Sequence, residues 1–154
     1  MNKHLGLIIA ILMLLALLNN SYFFMGILKL NMPKWLAFNA CSLSIIIYLL
    51  CFFIYQITKM EYFLAIPLLP LYYYGTMGLF IMPWNASNIP AHITHFLITV
   101  NVLWIIYTQL KDHNFASLGK GLLIGMIIFV PIFAIIQSYT QLHKKEFMTL
   151  LQNL

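Results

Sequence analysis

The chain has 154 residues, 63% of them hydrophobic and 7% charged, where a soluble domain carries roughly 25% charged residues. Such a surface suits lipid and not water. The net charge of +5 comes from eight lysines and no arginine, spread singly or in pairs between apolar runs, a pattern that excludes a phosphate-binding face and with it a nucleic-acid partner. The apolar runs are about twice the length of a membrane strand and apolar all round, which excludes a β-barrel. The expected fold is all-α: a polytopic integral membrane protein, one domain, with a bundle of five transmembrane helices near 5–28, 35–58, 62–82, 91–110 and 118–140 and a short polar tail at 141–154.

Lys3 and His4 precede the apolar stretch LGLIIAILMLLALL. A basic start and a short apolar core also describe a signal peptide. However, Asn19, Asn20 and Ser21 stand where a small-residue cleavage site belongs, and the apolar run then resumes. An uncleaved first span is the better reading. Its three polar residues must face other helices or mark the membrane edge, because lipid offers no hydrogen-bond partners.

Lys29, Asn31, Pro33 and Lys34 form the first turn, and Trp35 stands where an interfacial anchor belongs. Ala37, Asn39, Ala40, Cys41 and Ser42 in the next two turns suit close helix packing. Cys41 and Cys51 share one run. They are separated by about 15 Å of helical rise, beyond disulfide reach, and lack the C-x-x-C spacing of a redox or metal site.

Lys59, Met60 and Glu61 form a very short turn before the third span. Pro67 and Pro70 each remove a backbone donor and predict kinks. Tyr72, Tyr73 and Tyr74 point in three directions around a helix, so at least one faces inward and its hydroxyl needs a partner. The segment reads either as a cavity wall or as a kinked structural helix.

Residues 83–90 form a turn with no charge. Trp84 is an expected interface anchor. Ser87 or Asn88 is the expected cap of the fourth helix, with Pro90 in its first turn. Asn85-Ala86-Ser87 matches the N-x-S glycosylation acceptor, which has meaning only in a eukaryotic secretory setting. His92 and His95 then fall on one face, one turn apart, and Thr99 continues that face. Imidazoles so placed can share a metal, or one can serve a haem iron. A further ligand would be needed. His143 lies on the same side, with Glu146, whereas His4, Glu61 and His113 belong to the opposite face, roughly 30 Å away. The plainer reading is a structural pair. His92, near the positive end of a helix, stays neutral there and serves as a hydrogen-bonding side chain. A proton-handling role is the third reading.

Trp104 and Tyr107 mark the far end of the fourth span. Lys111, Asp112, His113, Asn114, Ser117 and Lys120 predict the longest and most polar loop. The fifth span carries Gly121 and Gly125 in a G-x-x-x-G match, which implies close packing against a neighbouring helix or dimerisation. Pro131 predicts a kink. Leu142, Phe147, Leu150, Leu151 and Leu154 keep helical spacing in the tail, which either extends the last helix or lies on the membrane surface.

Five spans put the termini on opposite sides. Lys3, Lys59, Lys111 and Lys120 then share one side, and Lys29, Lys34, Lys144 and Lys145 the other, so the positive-inside rule ties. The uncharged turn at 83–90 suits an outer loop and favours an N-terminus inside the cytoplasmic membrane. The adjacent Lys144 and Lys145 argue the other way.

No G-x-S-x-G, H-E-x-x-H, P-loop or dinucleotide fingerprint occurs. No acid falls inside a span, which argues against an independent ion-coupled transporter, and five spans do not divide into inverted repeats. The expected function is therefore non-enzymatic: a small carrier-type component or a partner subunit of a membrane complex, without a cofactor. Its neighbours are the lipid bilayer and a homo-oligomer or larger assembly formed through Gly121 and Gly125. Its working surface is the polar face of the fourth helix, His92, His95, Thr99 and Asn101, set against Tyr73 and Tyr74 of the third. Asn39, Thr76, His95, Asn101 and Gln137 are the expected interhelical polar contacts. The alternative is a membrane-embedded metal- or haem-dependent enzyme with His92 and His95 as ligands.

Overall fold

Long apolar runs without backbone partners outside themselves favour the helix, which satisfies every internal N–H and C=O within one segment. The computed structural model describes residues 3–111 and 113–152, without the side chains of Lys3, Ser87, Phe147 and residues 150–152. Asp112 and Leu154, and the side chains of Ser87, Phe147, Leu150 and Leu151, lie outside that description. Among the described residues the regular structure is helical, with no strand. Five helices are long and apolar enough to cross a membrane.

The first, α1 (Lys3–Ser21), continues into a wider π-turn at Tyr22–Ile27, closed by the Leu28 N–H donating to the Phe23 carbonyl at 3.0 Å. A short helix α2 (Met32–Phe38) follows, capped by Asn31, whose side chain accepts from the Lys34 N–H at 3.1 Å. The second spanning-length helix is α3 (Ala40–Thr58). The expected helix at 35–58 is thus broken at Asn39, where φ −126° and ψ 65° leave the helical region. Trp35, expected at an interface, is instead buried on α2.

The third, α4 (Tyr62–Ile81), is irregular. It breaks at Ile66 and Pro67 and widens into a π-turn at Leu71–Thr76. Pro70 brings no N–H to the Ile66 carbonyl. The ladder then slips by one residue, and the Met77 N–H reaches the Tyr72 carbonyl. The two prolines disturb the helix where their chemistry predicts.

A 3-10 turn at Ala86–Asn88 leads into α5 (Ile89–Lys111). The cap is Asn85, whose side chain accepts from the Asn88 N–H at 3.0 Å. Asn88, expected as a cap, donates its own amide to the Pro83 carbonyl instead. The fifth long helix, α6 (Phe115–Leu142), runs unbroken through Pro131. It starts earlier than expected because Asn114 caps it, accepting from the Ser117 N–H at 3.3 Å. The long polar loop shrinks accordingly, and Ser117 and Lys120 lie within α6. After a break at His143 the tail forms its own helix, α7 (Lys144–Gln152).

In the bundle α3, α4 and α5 form the centre, α1 packs on α3 and α5, and α6 packs on α4 and α2. Half of the apolar window of α4 is buried, against 17% for α1 and for α6. Gly121 and Gly125 explain how α6 reaches α4. A Cβ at Gly121 would stand 2.4 Å from the Tyr62 carbonyl, and one at Gly125 2.4 Å from the Ile66 carbonyl. Of the two readings of the G-x-x-x-G match, packing against a neighbour is realised within the chain. Dimerisation through these glycines would have to displace α4.

Candidate functional site

His95 sits one and a half turns into α5 and is buried. Its Nδ1 lies 2.8 Å from the Gly75 carbonyl. A carbonyl only accepts, so Nδ1 carries the proton and Nε2 the lone pair. The π-turn exposes that carbonyl to the neighbouring helix. Beneath the ring is Gly78, where a Cβ would fall 2.5 Å from the imidazole Cε1. The glycine is therefore the space the ring occupies. Thr99, one turn deeper, has its hydroxyl 2.8 Å from the His95 carbonyl and 3.3 Å from the Thr76 hydroxyl. His95, Thr99, Gly75, Thr76 and Gly78 make a closed joint between α4 and α5.

His92 is anchored elsewhere. Its Nε2 faces the Pro83 carbonyl at 3.2 Å, and its ring stacks on the exposed Trp84 indole with centroids 3.9 Å apart and planes 8° apart. Its Nδ1 is buried without a hydrogen-bond partner among the described residues. Each histidine thus donates one N–H to a backbone carbonyl, the way a metal-bound imidazole is held. Among the described residues, however, no group of three or more His, Cys, Asp or Glu could hold a metal ion. His143 is held locally, stacked on Tyr139 at 4.1 Å with Nδ1 3.0 Å from the Tyr139 carbonyl.

The remaining expected site residues separate. Asn101 is fully buried on a different edge of α5, where its amide faces the Tyr48 hydroxyl of α3. The two polar groups face each other across the α3–α5 contact, sealed from the surroundings. A buried amide facing a buried phenol makes this α3–α5 contact a polar one inside an otherwise apolar seam. Tyr73 and Tyr74 turn toward α6, away from His95. Tyr73 meets the Phe133 ring edge-on at 4.7 Å, and Tyr74 meets it at 5.7 Å. The residues of the single working surface expected from the sequence thus fall in four places: the His95–Thr99 joint, His92 on Trp84, Asn101 against α3, and the tyrosines against α6.

One of these is open. Leu43, Ser44 and Ile47 of α3, Leu69, Pro70, Tyr72, Tyr73 and Tyr74 of α4, and Phe129, Val130, Ile132 and Phe133 of α6 line a cavity of about 290 Å³. Its wall is nearly all apolar and carries no charge. The Ser44 hydroxyl donates to the Cys41 carbonyl at 2.7 Å. The Tyr74 hydroxyl is buried without a hydrogen-bond partner among the described residues. Pro70 and the π-turn place three consecutive tyrosines here, and the glycine contacts lower on α6 hold the opposite wall. Ser44, Phe129 and Phe133 were invisible to sequence reasoning. Each looks like an ordinary packing residue, and only the chain path brings them together.

A polar junction closes the other end of the bundle. The Asn114 amide donates to a Glu61 carboxylate oxygen at 2.6 Å, the Gln109 amide donates to the Glu61 carbonyl at 2.9 Å, and the Lys120 ammonium lies 4.2 Å over the Tyr62 ring. At the opposite end Lys34 pairs with Glu146, tying α2 to α7. That pairing raises the Lys34 pKa above its ordinary value. Comparison with protein-family models, with curated proteins and with solved structures found no match to this chain.

Proposed function

We propose that the chain is a five-span integral membrane protein of the cytoplasmic membrane, N-terminus inside, that works by holding a guest or a partner and not by catalysis: a carrier-type component or a partner subunit. The observation that carries this reading is the open, uncharged cavity against Tyr72–Tyr74. It lies within apolar helices of spanning length, and no nucleophile–base pair or metal cluster accompanies it among the described residues. Clefts between helices are where bundles place their binding sites. The lysine tie leaves the orientation to the uncharged 83–90 turn, which suits the outer side.

Native mass spectrometry of the full chain, released from its own membrane in mild detergent, tests the reading. A retained adduct or stoichiometric partner is expected, lost in Val130→Trp, which sets an indole at the cavity's exposed rim, and kept in Val130→Ala. A bare chain in both variants contradicts it.

The metal or haem reading keeps one supporting observation, the N–H to carbonyl anchoring of His92 and His95. Metal analysis and a visible spectrum of the purified protein test it. Stoichiometric metal or a Soret band lost in His95→Ala supports it, and a colourless, metal-free protein ends it.

A further inference from the structure

We propose that the cavity between α3, α4 and α6 binds a neutral, ring-bearing molecule that dissolves in the bilayer and presents a hydrogen-bond acceptor, of the quinone type. The proposal rests on the reading of this cavity as the working site.

Depth is the first argument. Tyr74 lies about 10 Å of helical rise from the end of α4 at Ile81. A phospholipid headgroup or fatty-acid carboxylate stays in the water-rich interface. The acceptor that arrives at Tyr74 must therefore travel on an apolar body. Shape is the second. Each helix contributes only about one turn to the wall, at 43–47, 69–74 and 129–133. The volume of about 290 Å³ stands at the lower edge of the ~300–1,000 Å³ range of small-molecule pockets. A short, compact space takes a ring better than an extended chain.

The walls give the third argument. Tyr73, Tyr74, Phe129 and Phe133 offer aromatic faces and edges, and the Tyr73–Phe133 pair stands at 84°. Flat rings pack against such surfaces by offset or edge contacts. The fourth is the polar inventory. No charged residue lines the space, so it offers no counter-charge to an ionic guest. The Ser44 hydroxyl is already spent on the Cys41 carbonyl, whereas the Tyr74 hydroxyl has no partner among the described residues. The Tyr74 hydroxyl is sealed off as the ring stands, so binding requires the ring to turn and bring its O–H to an acceptor on the guest. A ring carbonyl supplies that acceptor without a charge.

The test uses the full chain in nanodiscs of phosphatidylcholine, titrated with decylubiquinone and followed by quenching of intrinsic aromatic fluorescence. Palmitic acid is the chain-only comparison. Saturable quenching is expected, absent in Val130→Trp. Tyr74→Phe should weaken it roughly 5–10-fold, the value of one hydrogen bond, with circular dichroism unchanged. Palmitic acid should not compete. Quenching that never saturates, or that is equal in Val130→Trp, reflects partitioning and overturns the proposal. Competition by palmitic acid with no effect of Tyr74→Phe overturns it in favour of an acyl-chain site. A native adduct that decylubiquinone fails to displace also overturns it while leaving the holding function intact.

Discussion

Replacing Gly125 by alanine tests the α4–α6 contact on which one wall of the cavity depends. The new Cβ would stand 2.4 Å from the Ile66 carbonyl oxygen. The obstacle is backbone, flanked by Pro67, and cannot rotate aside, so the two helices must part by about 1 Å to restore ordinary contact. Overpacking of this kind costs ~1–3 kcal/mol, offset by ~1 kcal/mol of helix propensity. The net loss is about 0–2 kcal/mol, or up to roughly 8 °C of melting temperature for a chain of this size. Gly121→Ala, facing the Tyr62 carbonyl at 2.4 Å, should behave alike. Gly119 on the same helix has nothing within 4 Å of its added Cβ, so Gly119→Ala should gain about 0.5–1 kcal/mol. Thermal unfolding of the three variants in one detergent gives the comparison. If Gly125→Ala melts with or above Gly119→Ala, α6 does not pack on α4 through its glycines and the cavity wall is misplaced.

His95→Ala should lose about 2–4 kcal/mol, because it removes the interhelical hydrogen bond to the Gly75 carbonyl and leaves a hole over Gly78; a melting temperature equal to wild type would mean the imidazole is not in that joint. Asn114→Ala removes both the cap of α6 and the donor to Glu61, and thermal unfolding should register a loss of about 1–2 kcal/mol. Lys34 is held above its ordinary pKa of 10.5 by the hydrogen bond from its ammonium to Glu146. A raised lysine pKa adds stability that is present below the ordinary value and lost as pH climbs through the folded one. A spin label at Met148→Cys should therefore stay ordered at neutral pH and loosen only above about pH 10.5, whereas Lys34→Ala should loosen it at every pH.

The helices were legible because apolar run length is a strong signal, and Pro67 and Pro70 announced the irregular α4 through their missing donors. The turns were not. Helices end at Lys29, Lys59 and His113 in the left-handed region, where the usual glycine or asparagine marker is absent. The break at Asn39 depends on a backbone conformation that periodicity cannot register, and Trp35 looked interfacial because nothing in the sequence announces that α2 folds against α3 and α6. At the candidate site, His92, His95 and Thr99 share a helix edge as the spacing implied. Asn101 looked like a fourth member because it is polar and nearby, yet two residues turn a helix by about 200° and carry it to α3. The tyrosines were recognised as an inward-facing problem, but which helix they meet depends on how α6 returns, and that is settled by contacts far along the chain.

Cysteine accessibility tests the five-span arrangement most directly. Single cysteines at Met60 and at Asn85, in a background with Cys41 and Cys51 replaced by alanine, are probed with a membrane-impermeant maleimide in sealed vesicles of known sidedness. The two turns close opposite ends of the same helix, α4. One position should label in intact vesicles and the other only after permeabilisation, with Asn85 the accessible one in right-side-out vesicles. Labelling of both from the same side would mean that α4 does not cross the membrane, and the bundle with its cavity would be wrong.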